Sequence, residues 1–459
     1  MNQYGIQFEV KNKPSLDPEF MPILKFNRAF LETAKKPVSI ALERSGGQVA
    51  VYRTRVHGTE ELREADVYYI DRIIKTLLWM KGGFRVYLAG NEAVCAAMAE
   101  HYSAHGSRAF DFDYMANVYE HPFEVVRVDA VPEEKSVSKA IGRHLDGCRI
   151  GFDAGGSDRK VSAVIDGETV YSEEVVWHPK TQTDPEYHYQ GILDAFRTAA
   201  SKMPRVDGIG VSSAGVFIGN APMVSSLFIK VPRDRRGPIR TIYDRAAAAI
   251  GDVPIVVAND GDVTALAGAM SLHDSRVMGL AMGTSEAVGY VNREGCILGW
   301  FNELAFAPVD LNEQAARDEW SGDIGVGCKY FSQDAVIKLA PAAGIALDAA
   351  MTPAEKLKAV QQLAERGDAQ ALAIFRDIGV YLGHTLPLYA SIYDLKHLLV
   401  LGRVASGAGG EVIVAECRRV LAEEYPALAV SVTLPDEAFR RVGQSMAAAS
   451  LPTASLPEV

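Results

Sequence analysis

Apolar and polar positions alternate along the N-terminal third of the chain in the rhythm of strands and amphipathic helices. Residues 38–45 and 48–56 show strand-like alternation on either side of Gly46-Gly47, which predicts a turn. Residues 67–80 carry apolar side chains at helical spacing and stop before Gly82-Gly83, and 84–90 is typical of a buried strand. Residues 1–146 therefore predict an α/β extension, followed by a polar linker near 131–147.

A second pattern begins at residue 148, with three predicted strands joined by tight turns at Gly155-Gly156 and Asp166-Gly167. A helix, a strand, a strand running into a helix near 260, a second hairpin and a mostly helical C-terminal part follow. This alternation predicts mixed α/β lobes, which we place at 147–268 and 269–459, with the last helix returning to the first lobe. Because residues 38–130 show a similar order of elements, we expect them to be a degenerate copy of 148–220.

Length and charge limit the classes of function. A chain of 459 residues exceeds one ordinary core, so two or three domains are expected. With 47 basic and 58 acidic residues the formal charge is −11, which disfavours nonspecific nucleic-acid binding. The first residues lack the apolar core of a secretory signal, and no apolar run reaches the length of a membrane span. We expect a cytoplasmic protein without nucleic-acid or membrane partners.

The five cysteines are scattered and lack CxxC spacing, so they indicate neither a disulfide framework nor a zinc site. They fit a reducing compartment.

The first candidate for chemistry is the segment Asp153-Ala154-Gly155-Gly156-Ser157 at the end of a predicted strand. Glycines allow close backbone approach to a phosphate, whose oxygens the backbone N–H groups can meet. A carboxylate beside them can hold hydrated Mg²⁺. The alternative is an ordinary β-hairpin.

A second candidate is Asn259-Asp260, between a predicted strand and a predicted helix. Asp260 can act as a general base that takes a proton from an attacking hydroxyl. Both residue types are also common helix N-caps, and the two roles are compatible.

Two further glycine-containing turns follow strands. Gly283-Thr284 suits a second phosphate-facing hairpin, and the stretch from Gly402 to Gly407 suits a loop on which adenine lies. Each can also be a plain turn.

The order of these signals resembles the ROK family of bacterial sugar kinases and regulators. The segments that carry the resemblance, over roughly 148–450, are FDAGGSDRKVSAVIDG, GIGVSSAGVFIGN, VVANDGDVTALAGAM and AMGTSEAVGYV. The resemblance implies the two-lobed, actin/hexokinase-like (ribonuclease H-like) α/β ATPase fold, with ATP and Mg²⁺ as cofactors.

The resemblance also implies roles for individual residues. Asp260 would be the catalytic base, Asp153 would hold Mg²⁺ through water, and Asn259 and Glu303 would contact the sugar. The nucleotide would be bound by Asp153, Gly155, Gly156, Ser157, Gly283, Thr284, Gly402 and Gly407.

Three departures from the family pattern change what is expected. Phe306 stands where the family's zinc-binding histidine belongs, and the cysteine-rich zinc loop is missing, with only Cys328 nearby. No zinc is therefore expected. Glu286 occupies a glycine-rich position in the second hairpin, and we expect it to point away from phosphates. Arg403 replaces a glycine in the adenosine loop.

The leading hypothesis is ATP-dependent phosphoryl transfer to a hydroxyl of a sugar or sugar-like molecule. One alternative is a non-catalytic sugar- or nucleotide-binding regulator or sensor of the same fold. Another is an actin- or Hsp70-like ATPase without a small-molecule acceptor. The sequence leaves the sugar, the hydroxyl and the oligomeric state open, with a homodimer as one option.

Overall fold

A computed structural model describes residues 1–136 and 141–453. Its helices are α1 (Ile23–Thr33), α2 (Arg63–Lys81), α3 (Glu92–His101), α4 (Ala109–Tyr119), α5 (Pro185–Ala200), α6 (Ile242–Ala248), α7 (Asp260–Ser271), α8 (Gln333–Leu339), α9 (Pro353–Glu365), α10 (Ala369–Ala390), α11 (Ala408–Glu424) and α12 (Glu437–Ala449). Its strands are β1 (Asn2–Gln3), β2 (Ile6–Gln7), β3 (Lys36–Arg44), β4 (Gln48–Val56), β5 (Arg85–Ala89), β6 (Glu124–Arg127), β7 (Cys148–Ala154), β8 (Asp158–Ile165), β9 (Glu168–Val176), β10 (Gly208–Ser213), β11 (Val216–Ile218), β12 (Ala221–Val224), β13 (Ile255–Asn259), β14 (Val277–Met282), β15 (Glu286–Val291), β16 (His397–Leu401) and β17 (Ser431–Thr433).

The chain separates into two compact units. Unit 1 comprises Met1–Val137, Leu280–Val288 and Trp300–Leu434. Unit 2 comprises Ser138–Gly279, Gly289–Gly299 and Pro435–Val459. The N-terminal extension thus shares a unit with much of the predicted C-terminal lobe, and the division into three domains stays a prediction.

Within unit 1, the N-terminal sheet has the strand order β4-β3-β5-β6. Strands β3 and β4 form the predicted hairpin around Gly46-Gly47, and both glycines have positive φ. Helix α2 ends where predicted, at Gly82, whose N–H caps the carbonyl of Leu78. Helices α1 and α4 were not predicted. Part of the linker predicted near 131–147 pairs with this sheet, because Val49 and Lys135 exchange backbone hydrogen bonds. Residues 137–140 of the linker lie outside the described part of the chain.

The expectation that 38–130 copies 148–220 is wrong. Strand β5 runs antiparallel to β3, whereas its supposed counterpart β10 runs parallel to β7. The reason is the number of strands before the helix: three antiparallel neighbours, β7 to β9, precede α5, but only β3 and β4 precede α2. A helical crossover returns the chain parallel to the strand that precedes the helix. One strand fewer therefore reverses the direction of the next strand.

Unit 2 is built on a five-stranded sheet with the order β13-β10-β7-β8-β9. Strands β7, β10 and β13 are parallel, and β8 and β9 continue the sheet as antiparallel hairpins. Its core includes Ile150, Phe152, Phe196 and Tyr243. Parallel strands buried on both faces explain why these segments are continuously apolar in the sequence.

Helix α12 packs directly on this sheet, against β7, β10 and α7. A Cβ built on Gly151 would lie 1.7 Å from the carbonyl oxygen of Ser445, and one built on Gly210 would lie 1.7 Å from that of Ala448. Side chains at these two strand positions would push the helix off the sheet, so the glycines fix the close approach.

A second sheet has the order β15-β14-β16-β17, with β16 and β17 parallel. The boundary between the two units falls within β14 and β15. Among the described residues, no helix combines the length and apolar character needed to cross a bilayer.

Candidate active site

The carboxyl ends of β7, β10 and β13 bring the two predicted carboxylates together in unit 2. In the register of the sheet, Ser212 of β10 pairs with Asp153 of β7, and Ser213 pairs with Asn259 of β13. Asp260 follows as the first residue of α7. In open α/β sheets, this edge of parallel strands is where ligands bind.

Asp153 is a mostly buried carboxyl group whose Oδ1 accepts a hydrogen bond of 3.0 Å from the Ser212 hydroxyl. Burial raises the pKa of Asp153 to about 6, the hydrogen bond from Ser212 opposes this, and the nearby charge of Asp260 raises it further. The ionised form is therefore costly here unless a cation accompanies it.

Asp260 is fixed by the start of helix α7. Asn259 caps the helix, because its Oδ1 accepts from the Gly261 N–H at 2.7 Å, while its Nδ2 donates to the Gly215 carbonyl at 2.7 Å. The Asp260 carboxylate accepts from the same Gly261 N–H at 3.0 Å. Burial raises the pKa of Asp260, and the Gly261 N–H and the positive charge of Lys180 oppose the rise. A carboxylate with a raised pKa suits a general base.

Gln444 of α12, which sequence reasoning missed, links strand β10 to the start of helix α7. Its Nε2 donates to the Ser212 hydroxyl at 2.9 Å and to the Asp260 carbonyl at 3.0 Å. A chain of hydrogen bonds therefore runs from Asp153 through Ser212 and Gln444 to the backbone of Asp260. The signal was absent from the sequence because Gln444 lies 232 residues from Ser212.

The first glycine hairpin lies directly after Asp153. The buried Trp177 holds this hairpin with two hydrogen bonds. Its Nε1 donates to the Gly155 carbonyl at 2.7 Å, and its backbone N–H donates to the Ser157 carbonyl at 3.1 Å. A Cβ on Gly155 would lie 2.6 Å from the Asp158 carbonyl oxygen, so this position requires glycine. The turn is thus rigid and free of side chains at Gly155 and Gly156, as a phosphate cradle requires.

Lys180 was also missed by the sequence reasoning. Its Nζ would lie 2.6 Å from a Cβ built on Gly156, so the ammonium group lies against the first hairpin. It is also close enough to Asp260 to lower the pKa of that carboxyl group. The side chain is exposed. A cation therefore lies beside the first hairpin and acts on the candidate base.

In unit 1, the second hairpin and the predicted adenosine loop are in contact. Arg403 donates from Nη2 to the Thr284 hydroxyl at 2.9 Å, and the Val404 N–H donates to the Met282 carbonyl at 3.0 Å. Gly402 has φ +89°, and a Cβ there would lie 2.4 Å from the Met282 carbonyl oxygen. Gly402 therefore allows the two loops to touch, and Arg403 joins them.

Gly283 and Gly407 have structural roles in the same unit. The Gly283 N–H closes the hairpin turn on the Ser285 carbonyl at 3.0 Å. Gly407, with φ +66°, precedes α11, and the Glu365 carboxylate accepts from the Ala408 N–H at 2.7 Å. The N-terminus of α11 thus already has an acidic partner.

Glu303, the predicted sugar contact, lies in unit 1 at a turn held by helix α2. The backbone N–H groups of Asn302 and Glu303 donate to the carbonyls of Met80 and Trp79, at 3.0 and 2.9 Å. These carbonyls belong to the last turn of α2, where helices lack internal partners. The N-terminal extension therefore positions the Glu303 segment.

Glu286 of β15 is buried, and its orientation away from phosphates stays a prediction. Its carboxyl group accepts a 3.4 Å hydrogen bond from Tyr389. Burial raises the pKa of Glu286 to about 8, and the charge of Glu303 adds to the rise. Burial therefore favours the neutral form of Glu286, which carries no negative charge into the hairpin.

The chemistry of the donor set at Asp153 fits a hydrated Mg²⁺. In the described part of the chain, its Oδ2 accepts no hydrogen bond from the protein, whereas Oδ1 is held by Ser212. Mg²⁺ usually keeps several waters and binds through one or two carboxylates plus substrate phosphates. Among residues 1–136 and 141–453, no cluster of three or more His, Cys, Asp or Glu side chains could hold a metal ion. The absence of zinc stays a prediction.

Comparisons with known proteins identify the fold. No family model and no curated protein matches the chain. A ROK hexokinase from Thermus thermophilus matches with a TM-score of 0.51 and 20% identity, over 66% of this chain and 97% of the hexokinase. A ROK family transcriptional regulator, a homolog of the E. coli MLC protein, matches with a TM-score of 0.52 and 15% identity, over 78% of this chain and 87% of the regulator. The predicted actin/hexokinase-like α/β fold is confirmed, and the chain shares it with ROK proteins.

Proposed function

We propose that this chain is a ROK-type kinase that transfers the γ-phosphoryl group of ATP to a hydroxyl of a sugar or sugar-like acceptor. One observation carries the proposal: two partly buried carboxyl groups, Asp153 and Asp260, lie at the carboxyl ends of the parallel strands of one sheet, beside a glycine hairpin held by Trp177. A ROK fold with this arrangement has the parts that phosphoryl transfer needs, namely a phosphate cradle, a carboxylate for a hydrated cation and a base.

In the proposed reaction Asp260 takes the proton of the acceptor hydroxyl while that oxygen forms a bond to the γ-phosphorus. The bond from phosphorus to the β,γ-bridging oxygen breaks, and ADP leaves with its electron pair. Burial raises the pKa of Asp260, so its carboxylate is a stronger base than an exposed one. The Asn259 cap and the Gln444 hydrogen bond hold this residue in place.

Asp153 would bind Mg²⁺ through water. When bound, this ion would neutralise charge on the phosphates. The backbone N–H groups of the first hairpin would contact the phosphates, and Lys180 beside Gly156 would supply a protein cation there. In unit 1, the second hairpin and the loop that Arg403 joins to it would also contribute to nucleotide binding. Glu303 would bind acceptor hydroxyls.

The test is a coupled ADP-release assay over a panel of hexoses, N-acetylhexosamines and disaccharides, with wild type and Asp260→Asn. We expect at least one sugar to stimulate ADP release. The variant should lose about 10²- to 10⁴-fold in kcat, the typical contribution of a general base, while its affinity for an ATP analogue is kept. A variant that retained most of the wild-type rate would remove Asp260 from this role.

A second candidate is a sugar-responsive regulator without turnover. The observation in its favour is the likeness to a ROK transcriptional regulator, which extends over 78% of this chain. Sugar binding without any ADP release that depends on Asp260 would favour this candidate.

A further inference from the structure

Trp320 is the most exposed of the four tryptophans of the chain. Its side chain is 60% exposed, whereas Trp79 and Trp177 are buried and Trp300 is half-buried. An exposed indole carries a large apolar area that a ligand can bury and a face with a specific preference for its contacts. The surroundings of Trp320 within unit 1 show what kind of partner fits.

Three aromatic rings support Trp320 from the side. The ring centroids of Phe110, Tyr114 and Phe306 lie 5.7, 5.7 and 5.2 Å from that of Trp320, at interplanar angles of 76°, 77° and 72°. All three contacts are edge-to-face, so none of these rings stacks in parallel on Trp320. The indole is therefore held by its neighbours while 60% of the residue stays exposed.

The chain on both sides of Trp320 is fixed as well. Glu319 forms an ion pair with Lys329 at 2.5 Å, and Asp318 accepts from both the N–H and the hydroxyl of Ser321, at 2.7 and 2.6 Å. Asp323 lies among Arg72, Lys75 and Arg108 at 3.4, 3.2 and 2.8 Å. A ring placed by so many contacts loses little conformational freedom when a ligand binds.

The same cluster reaches the turn that carries Glu303. The N–H of Phe306, one of the three supporting rings, donates to the Glu303 carbonyl at 3.2 Å, and burial together with the charge of Glu303 raises the pKa of the Tyr114 hydroxyl. The buried Trp79 packs on Tyr114 at 5.1 Å, and its carbonyl holds the Glu303 N–H. The exposed indole thus belongs to the aromatic cluster that packs on the turn carrying Glu303.

We propose that Trp320 and its supporting rings form a platform on which a sugar ring stacks, with Glu303 accepting hydrogen bonds from its hydroxyls. The C–H groups on one face of a pyranose are attracted to the electron-rich face of indole, and the hydroxyls at its rim need acceptors. A neutral polyol fits here better than a phosphate-bearing ligand, because the neighbouring carboxylate repels anions. That this sugar is the acceptor rests on the proposed kinase function.

The platform gives residues 1–136 a role in choosing the ligand. Phe110 and Tyr114 belong to α4, and Trp79 belongs to α2, all in the N-terminal extension. Trp320 and Glu303 lie in the later segment of the same unit. The extension and this segment together make one sugar-recognition surface.

The test measures binding without requiring turnover. The intrinsic fluorescence of the full-length protein is titrated with glucose, mannose, N-acetylglucosamine, sucrose and maltose, and acrylamide quenching and calorimetry follow for each sugar that responds. We expect at least one sugar to bind and to protect Trp320 from acrylamide. Trp320→Ala should bind that sugar at least about 10-fold more weakly, the scale of loss when a central aromatic contact is truncated. Trp320→Phe should keep most of the affinity.

Tyr187→Ala is the matched control, since Tyr187 is an exposed aromatic residue in unit 2. It should bind the sugar like wild type. Thermal melts establish that Trp320→Ala is folded, and Trp320→Gln serves if it is not. The platform would be overturned if the folded Trp320 variant, Trp320→Ala or Trp320→Gln, bound the sugar as tightly as wild type. It would also be overturned if none of the five sugars bound.

Kinetics separate this proposal from the kinase proposal. If the bound sugar is the acceptor, Trp320→Ala should raise the acceptor KM about 10-fold and leave kcat and the KM for ATP within about 2-fold of wild type. Sugar binding that depends on Trp320 without ADP release would sustain the platform and reject the kinase. ADP release with an unchanged acceptor KM would do the reverse.

Discussion

At the scale of single residues, the cost of burying Asp153 is the feature with the clearest consequence. Its pKa is raised from 3.8 to about 6, so the folded state binds more protons than the unfolded state between these values. Stability therefore falls as pH rises through this window, and the loss is complete above pH 6. A cation and phosphates would offset this cost, which links the stability of the site to its ligands.

Asp153→Asn should remove this loss. We expect its free energy of unfolding at pH 7.5 to exceed that of wild type by on the order of 2 kcal/mol, with little difference at pH 3.5, where the wild-type carboxyl is protonated. Urea unfolding at the two pH values measures this. The exposed Asp252 offers the control Asp252→Asn, which should behave like wild type. If the free energy of unfolding of Asp153→Asn changed with pH in the same way as that of wild type, the raised pKa of Asp153 would be contradicted.

Lys180 offers a second prediction at this scale. If its ammonium group stabilises charge that develops on the transferred phosphoryl group, Lys180→Met should lower kcat about 10- to 100-fold with the acceptor KM unchanged. Lys180→Arg should recover part of the rate because it keeps the charge. Lys202→Met, which removes an exposed lysine stacked on Tyr171 in the same unit, is the control. Steady-state kinetics with both substrates varied would show Lys180 to be dispensable if all three variants matched wild type.

At the scale of elements, the contact between the second hairpin and the loop after β16 depends on one backbone conformation. Gly402 combines positive φ with a Cβ position 2.4 Å from a backbone carbonyl, so a side chain there must separate the two loops. Separation of the loops would also break the hydrogen bond from Arg403 to Thr284. A loop pair that binds nucleotide would be damaged more than the fold itself.

Gly402→Ala should therefore weaken binding of an ATP analogue at least about 10-fold and lower stability by about 2–4 kcal/mol. Gly367→Ala is a sharp control, because Gly367 also has positive φ, +79°, but a Cβ there meets no atom within 4 Å. It should cost only the backbone strain, about 1 kcal/mol, and leave nucleotide affinity unchanged. Equal effects of the two substitutions, in calorimetry and urea unfolding, would argue against the loop contact.

At the scale of the whole molecule, unit 1 is tied together by a buried ionic network. Arg72 and Lys75 of α2 and Arg108 before α4 surround Asp323, which lies 215 residues after Arg108 and 251 after Arg72. Asp71 and Asp111 complete the network through Arg108 and Lys75. Three cations thus face three carboxylates, with all six groups largely removed from water. The N-terminal extension is therefore fastened to the segment that carries Glu303 and Trp320.

Asp323→Asn would leave three buried cations with two carboxylates. We expect a loss of about 3–5 kcal/mol in the free energy of unfolding, the usual cost of breaking a buried ion pair from one side. Glu92→Gln breaks the exposed pair between Glu92 and Arg127 and should cost less than about 1 kcal/mol. Denaturant unfolding of the two variants checks this, and a mild effect of Asp323→Asn would mean that water reaches the network.

Much of the local structure followed from the sequence because its signals are short-range. The hairpin at Gly46-Gly47, helix α2 with its stop at Gly82, and the strands that deliver Asp153 and Asp260 depend on periodicity and turn residues within a few positions. The motif order also led to the fold, which the likeness to ROK proteins confirms. These features depend on residues that are close in sequence, so a single sequence was enough to predict them.

The tertiary structure decided what depends on distant partners. Gln444 reaches Ser212 across 232 residues, Lys180 meets Gly156 through a loop, and Trp320 rests on rings from α4. The supposed copy relation failed for the same reason: the direction of β5 depends on how many strands precede α2, which local similarity does not reveal. Sequence patterns specify the elements and their local chemistry. Packing across the chain decides which elements meet, because contacts between distant residues leave no local periodicity to read.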